Sequence, residues 1–257
     1  MKKIKIAAVV IAVMVLLPML LWYAAVPDSA VQDLLTARPL GPGLTVEAAN
    51  LHKGFFFSFK ADSISAVSRG KEALVFSDVH GRIDPLAIFL FHLHVPFRAK
   101  LAQGTVKGAF DYGLFSGKKN LQVRFDSVQI SDLPPIKRSV SGVLNANLSF
   151  SGGIGNFLFT LQGLSNFPYG FRSANGVIGI KSPEVSIRSV SLEAPDTYAK
   201  VKGSGNLEDG SYNLTLEITK NLQVTNQGEN AGPALNMFEK SPGYYVIPLS
   251  GRLQQFL

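Results

Sequence analysis

Cysteine is absent from the 257-residue chain. Its absence excludes disulfides, thiol catalysis, cysteine-ligated zinc and a lipid-modified N-terminal cysteine. It is compatible with an oxidising compartment. Charge is also scarce. Asp, Glu, Lys and Arg make up 17% of the residues against 46% apolar, which is too apolar for a disordered chain. The net charge of +7 is not gathered into a patch: Lys2, Lys3 and Lys5 stand at the extreme N-terminus, and the densest later groups are "IKR" and "GKKN". Nucleic-acid binding needs clustered cations that neutralise successive phosphates, and this distribution argues against it.

Catalytic signatures are missing as well. There is no G-x-S-x-G elbow, and "SGGIGNF" lacks the Lys-Ser/Thr of a phosphate loop and reads as a turn. Ser116 and Lys119 match S-x-x-K, but they lie in "FSGKKN", a hairpin-turn sequence. Asp84 and Asp111 fall near strand ends with nothing to pair them into an acid/base dyad. The most suggestive motif is His92-x-His94, since strand neighbours at i and i+2 can supply two zinc ligands. Only His52 and His80 remain to complete such a site, and no second motif has ligand spacing. The pair reads as the solvated side of a strand. We assign no catalytic residue, no metal and no cofactor.

One long apolar run is present. No residue from Ile6 to Val26 is charged. As a helix it would extend about 31 Å, close to the hydrocarbon thickness of a bilayer. The three preceding lysines place the N-terminus in the cytoplasm. Trp22 and Tyr23 stand where an aromatic belt is expected, and Pro18 is tolerable in a membrane helix. A cleaved signal peptide is the competing reading. It would have a shorter apolar region, and cleavage after Ala25 would put Tyr23 at the unfavourable −3 position. We expect an anchor, marked by Ile6, Trp22, Tyr23 and Val26, with the rest of the chain outside the cytoplasm. The expected organisation is a cytoplasmic stub (1–5), the anchor (6–26), a linker with a short helix (27–43) and a β-domain (44–257).

From residue 44 onward alternation of period two dominates, with 24 glycines and 14 prolines supplying frequent turns. "DPLAIFLF" interrupts it with one helical turn, Asp84 serving as cap and Pro85 as first residue. "LQVRFDSVQI" slips phase after Asp126, the mark of a bulge. "EDGS" is a hairpin turn. The fold class expected is all-β: a curved antiparallel meander of twelve to fifteen strands, groove-like or half-barrel, with a few short helices and the N-terminal transmembrane helix.

Phenylalanine is abundant, at 18 residues, and crowds the first half. Phe55, Phe57 and Phe59 fall on one face of an alternating stretch, with Phe56, Ser58 and Lys60 on the other. Phe89 precedes "FHLHVPFRAKL", in which Phe91, Leu93, Val95 and Phe97 share one strand face. Tyr212, Leu214 and Leu216 form a matching face near the C-terminus. These residues are the candidate lining of an apolar groove that shelters acyl chains. Packing in a closed core is the competing reading for each of them.

The order of blocks carries a resemblance. "DPLAIFLFHLHVPFRAKLAQGTVKGAFDY", "LQVRFDSVQISDLP", "SLEAPDTYAKVKGSGNLEDGSYNLTLEI" and "YYVIPLSGRL" follow one another across most of residues 75–252. In this order, behind an N-terminal anchor, the chain resembles type II secretion system protein N. In repeat style it resembles the AsmA-like proteins, whose β-grooves are associated with lipid transport between membranes. The resemblance implies a bacterium with two membranes, an inner-membrane anchor and a periplasmic body. It implies an accessory, non-enzymatic role in protein export, with partners among the inner-membrane platform or secretin subunits. Phospholipid is the ligand under the AsmA-like alternative.

Overall fold

Sustained alternation becomes strand almost everywhere. The computed structural model of the chain describes residues 20, 22–29, 32, 44–68, 71–133, 140–167, 170–181, 183–206, 208–220 and 237–252. Among these, fifteen strands form one sheet: β1 (Leu44–Ala49), β2 (His52–Lys53), β3 (Ser58–Ser68), β4 (Lys71–Arg82), β5 (His92–Leu101), β6 (Gly104–Gly113), β7 (Lys119–Gln129), β8 (Ser141–Ser151), β9 (Ile154–Ser165), β10 (Ser173–Lys181), β11 (Glu184–Glu193), β12 (Thr197–Asn206), β13 (Ser211–Lys220), β14 (Glu239–Ser241) and β15 (Tyr244–Arg252). From β3 to β13 each strand neighbours the next in sequence. This is the antiparallel meander that short Gly-rich turns favour. A short helix, α1 (Pro85–Phe89), and a 3-10 turn (Ile130–Asp132) are among the described segments that interrupt it. Backbone contacts divide the chain into two compact units, Met1–Leu101 with Lys107–Gly117, and Ala102–Val106 with Lys118–Leu257.

The expected transmembrane helix falls mostly outside the described residues. Residues 20 and 22–25 are helical. Among the described residues no helix is long and apolar enough to cross a membrane. Most of the 27–43 linker also lies outside them.

In the first unit, Leu51, Phe59, Ala61, Val79 and Ala99 form a buried cluster, with Trp22, Val26, Ile64, Phe76 and Val95 packed against it. Trp22 and Val26 are therefore core residues as well as the end of the apolar run. Phe59 pairs with Gly81 on β4. A Cβ at Gly81 would stand 2.1 Å from the Phe59 ring, so the glycine is what lets the ring lie flat across the strand. Asp84 caps α1, its carboxylate accepting from the Leu86 amide at 2.9 Å, and Pro85 opens the helix.

Two expectations of alternation fail here. Phe56 and Phe57 have φ of 55° and 59°, and β3 begins only at Ser58. Residues 54–57 make a turn, closed by the Gly54 amide donating to Ser58 O at 2.8 Å. Phe55 and Phe57 therefore do not share a strand face with Phe59. Phe91 likewise has φ of 57° and lies in the turn before β5. Runs of phenylalanine look like strand by composition, but a left-handed residue ends the alternation.

In the second unit the bulge expected after Asp126 is present: Ser127 has φ of 55° and pairing shifts between Phe125 and Val128. The turns expected at "GG" of "SGGIGNF" and at "EDG" join β8 to β9 and β12 to β13.

Candidate functional site

Strand register assembles a site that no single stretch displays. Facing partners across β7, β8, β9, β10, β11, β12, β13 and β15 point to the same side of the sheet. On one side they form four apolar rows. The first runs Val128, Leu144, Leu161, Ala174, Leu192, Ala199, Ile218, Tyr245. In the second, Phe159 faces Gly176 and Leu216 faces Ile247; in the third, Phe157 faces Ile178 and Leu214 faces Leu249; the fourth includes Phe150, Ile180 and Tyr212. At ordinary strand and residue spacings this face measures roughly 34 Å across the strands and ~20 Å along them.

Burial falls along the rows. Val128, Ala174, Ala199, Ile218 and Tyr245 in the first are buried, and Phe171 and Phe167 fold over that end. The large side chains of the second and third rows are half-buried, and Leu249 is exposed. Among the described residues of this unit no helix or second sheet lies over the face. Phe157 and Phe159, 5.7 Å apart and stacked, stand in its middle.

The opposite side of the same strands is polar. It holds a concavity of about 470 Å³ lined by Arg124, Asp126, Asn145, Asn147, Thr160 and Asn175, among others. Asp126 accepts from the Arg124 guanidinium at 2.7 Å, which raises the Arg124 pKa further. No enclosed chamber results, since both groups are at the surface.

The candidate groove residues divide among different environments. Phe59 is buried in the first unit's core, and Val95 packs against it. Phe97 pairs with Gly81, on the side that Phe59 occupies, and like Leu93 is half-buried. Phe57 packs against Trp22 with ring centres 5.6 Å apart. Phe55 stacks on Tyr23 at 5.4 Å, and Phe91 tilts against Phe115 at 4.6 Å; both rings are exposed. Phe89 ends α1, and its side chain lies outside the described residues. Tyr212, Leu214 and Leu216 lie on the second unit's apolar face. The richer lining is thus provided by Phe157, Phe159, Ile178 and Leu214, most of which were not singled out. Their signal was alternation in the right register, which becomes visible only when pairing is known.

Comparison with family models, with curated proteins and with solved structures finds no match. The chemistry must be read from the side chains alone. His94 Nδ1 lies 2.6 Å from the Asp111 carboxylate, both about one-third exposed (35% and 36%). His92 is exposed. Among the described residues no three His, Asp or Glu groups gather where they could hold a metal ion. Asp78 sits on a bulge with φ of 51° and meets His80 at 2.9 Å, Lys100 at 3.2 Å and Lys60 at 3.8 Å. The hydrogen bond from His80, then that from Lys100, holds its carboxyl below the ordinary value.

The residue that sequence reading missed is Lys53. Its ammonium donates to the carbonyls of Trp22, Tyr23 and Val26, at the end of the helical residues. A cation there satisfies carbonyls that have no partner within a helix. Trp22 Nε1 donates to Gly54 O at 3.2 Å, and Asp28 accepts from the Lys53 amide at 3.2 Å. Nothing local in "NLHKGFF" marks a contact thirty residues away.

Proposed function

We propose that the chain is an inner-membrane-anchored periplasmic protein that shelters acyl chains on the apolar face of its second unit, in the manner of AsmA-like lipid-transport proteins. The observation that carries this reading is the four-row apolar face. Its large side chains stay half-buried, with no second layer over them among the described residues. Leaving so much contiguous apolar surface wet is unfavourable by about 25 cal/mol per Å², and bound hydrocarbon would remove that cost. The face is longer than one leaflet's acyl depth of about 15 Å.

The test is the lipid content of the full-length chain purified in mild detergent, read by native mass spectrometry. Phospholipid is expected with the wild-type chain and is expected to be lost from Phe157→Glu. It should persist in Asn147→Glu, on the polar side of β8. Equal lipid content in the two variants overturns the reading.

A second reading, an accessory subunit of type II secretion acting through protein contacts, draws support from β15. The Val246 amide donates to Phe238 O, outward from β13. By strand parity Ser250 and Arg252 turn their amides the same way. Among the described residues no strand pairs with them there. Such an edge accepts an added strand from a partner. Co-purification with secretin or inner-membrane platform subunits is its expected result, and unimpaired export after deletion of the gene overturns it.

A further inference from the structure

One end of the first unit's sheet is apolar in a way that neither core packing nor the acyl-chain face uses. β3 starts there, β4 ends there, β5 starts there and β6 ends there. The three connections at this end are the 54–57 turn, the α1 segment and the 114–118 turn. They are tied together: the Ile83 amide donates to Phe57 O and the Leu114 amide to Phe91 O, each at 2.9 Å. Together they expose Phe55 (70%), Phe56 (65%), Leu86 (71%), Leu90 (74%), Phe91 (54%) and Phe115 (81%). Isolated exposed apolar residues need no explanation, but six large ones at one strand end do.

The end of the N-terminal apolar run lies next to them. The apolar run 6–26 joins the unit at this end, and the join is not loose. Lys53 holds the carbonyls of Trp22, Tyr23 and Val26, Trp22 is bonded to Gly54, and Tyr23 stacks on Phe55. Because Trp22 and Val26 pack against the unit's own core, the run left for lipid is 6–21. As a helix those residues reach about 24 Å, short of a hydrocarbon core of about 30 Å. A short span draws flanking groups into the interface.

We propose that this strand end is a membrane-docking surface: the Phe55–Phe56 turn, α1 and the Phe91–Phe115 pair enter the interface of the bilayer leaflet from which the anchor emerges. The occupant is the lipid surface itself. Aromatic and leucine side chains suit that depth, and the clamp fixes how far they reach. The inference rests on the anchor reading and not on the acyl-chain face.

The chain has no cysteine, so single cysteines can be introduced and labelled cleanly. The full-length chain is reconstituted in vesicles of phosphatidylethanolamine and phosphatidylglycerol. An NBD fluorophore on Val13→Cys, inside the apolar run 6–21, reports the anchor through quenching by nitroxide lipid. An environment-sensitive NBD label is placed in turn on Phe56→Cys, Leu90→Cys and Glu72→Cys. Glu72 is exposed at the other end of β4, ten residues from Arg82 and so about 34 Å away. The expected result is blue-shifted NBD emission at positions 56 and 90, quenched several-fold by nitroxide lipid, with position 72 unaffected. If 56 and 90 behave like 72 while position 13 is quenched, docking is overturned and the anchor stands. If position 13 is not quenched, the anchor reading falls and the docking proposal with it.

Discussion

The two units start from the same alternating pattern and treat its apolar side differently. In the first, the apolar side of β3, β4 and β5 is covered: Phe59 lies over Gly81, and Trp22 and Val26 pack against the cluster that Phe59 belongs to. In the second, only the Phe171 end of the apolar side is closed, and Phe157, Phe159 and Leu214 remain half-buried. A period-two pattern specifies which side is apolar. It does not specify what meets that side. That depends on whether another segment of the chain returns to cover it, and in the first unit helical residues do.

The largest expected effect breaks this comparison directly. Phe59→Ala removes a buried ring from a packed core and should cost about 3–5 kcal/mol. Phe159→Ala removes a ring of the same size from a half-covered face and should cost less than half as much, because part of its surface is wet in the folded state. Denaturant unfolding of both variants, followed by far-UV circular dichroism and by Trp22 fluorescence, measures the two costs. Trp22 belongs to the first unit's core, so its transition should shift strongly for Phe59→Ala. Equal costs would mean that the second unit's face is as well covered as the first unit's core.

A smaller effect sharpens the comparison at the level of charge. In the first unit Lys53 serves three backbone carbonyls and fastens the helical residues to the sheet. In the second, Lys202 pairs with Glu217 at 3.2 Å across β12 and β13, with the lysine side chain 47% exposed. Lys53→Met leaves helix-end carbonyls without a donor and should cost about 1–3 kcal/mol. Lys202→Met breaks an exposed pair and should cost about 0–1 kcal/mol. Thermal melts of the two variants should differ accordingly. Lys53→Met should also broaden or red-shift Trp22 emission, which Lys202→Met should not.

The sequence displayed much of the fold and less of the site, for reasons tied to particular residues. The meander, the α1 cap at Asp84, the bulge after Asp126 and the "EDG" turn depend on neighbours within a few positions, and their propensities agree with the structure. Phe57 and Phe91 were misplaced because left-handed conformations at φ of 59° and 57° leave no compositional trace when the residue is phenylalanine. The four-row face was seen only in fragments such as Tyr212, Leu214 and Leu216. Its continuity depends on the register of seven strand pairs, which alternation alone does not fix. The Lys53 clamp was invisible because its partners at 22–26 belong to a segment read as membrane anchor.

The smallest expected effect concerns Asp78, whose bulge places a carboxylate among His80, Lys100 and Lys60 on the first unit's polar side. Its folded pKa lies below the ordinary carboxyl value, chiefly through the His80 hydrogen bond. A depressed carboxyl contributes stability above its unfolded pKa of about 4, and that contribution is lost as pH falls through the lower folded value. The group is exposed, so solvent and salt screen most of it. Asp78→Asn removes the charge and keeps a side chain that tolerates φ of 51°. The variant should therefore melt slightly below the wild type at neutral pH. The gap should narrow in high salt and close as the pH drops through the folded value of Asp78, where the wild-type carboxyl is itself neutral. A gap that persists in acid would assign the effect to the bulge's hydrogen-bond geometry rather than to its charge. That result would make the bulge, like Gly81, a device of backbone shape.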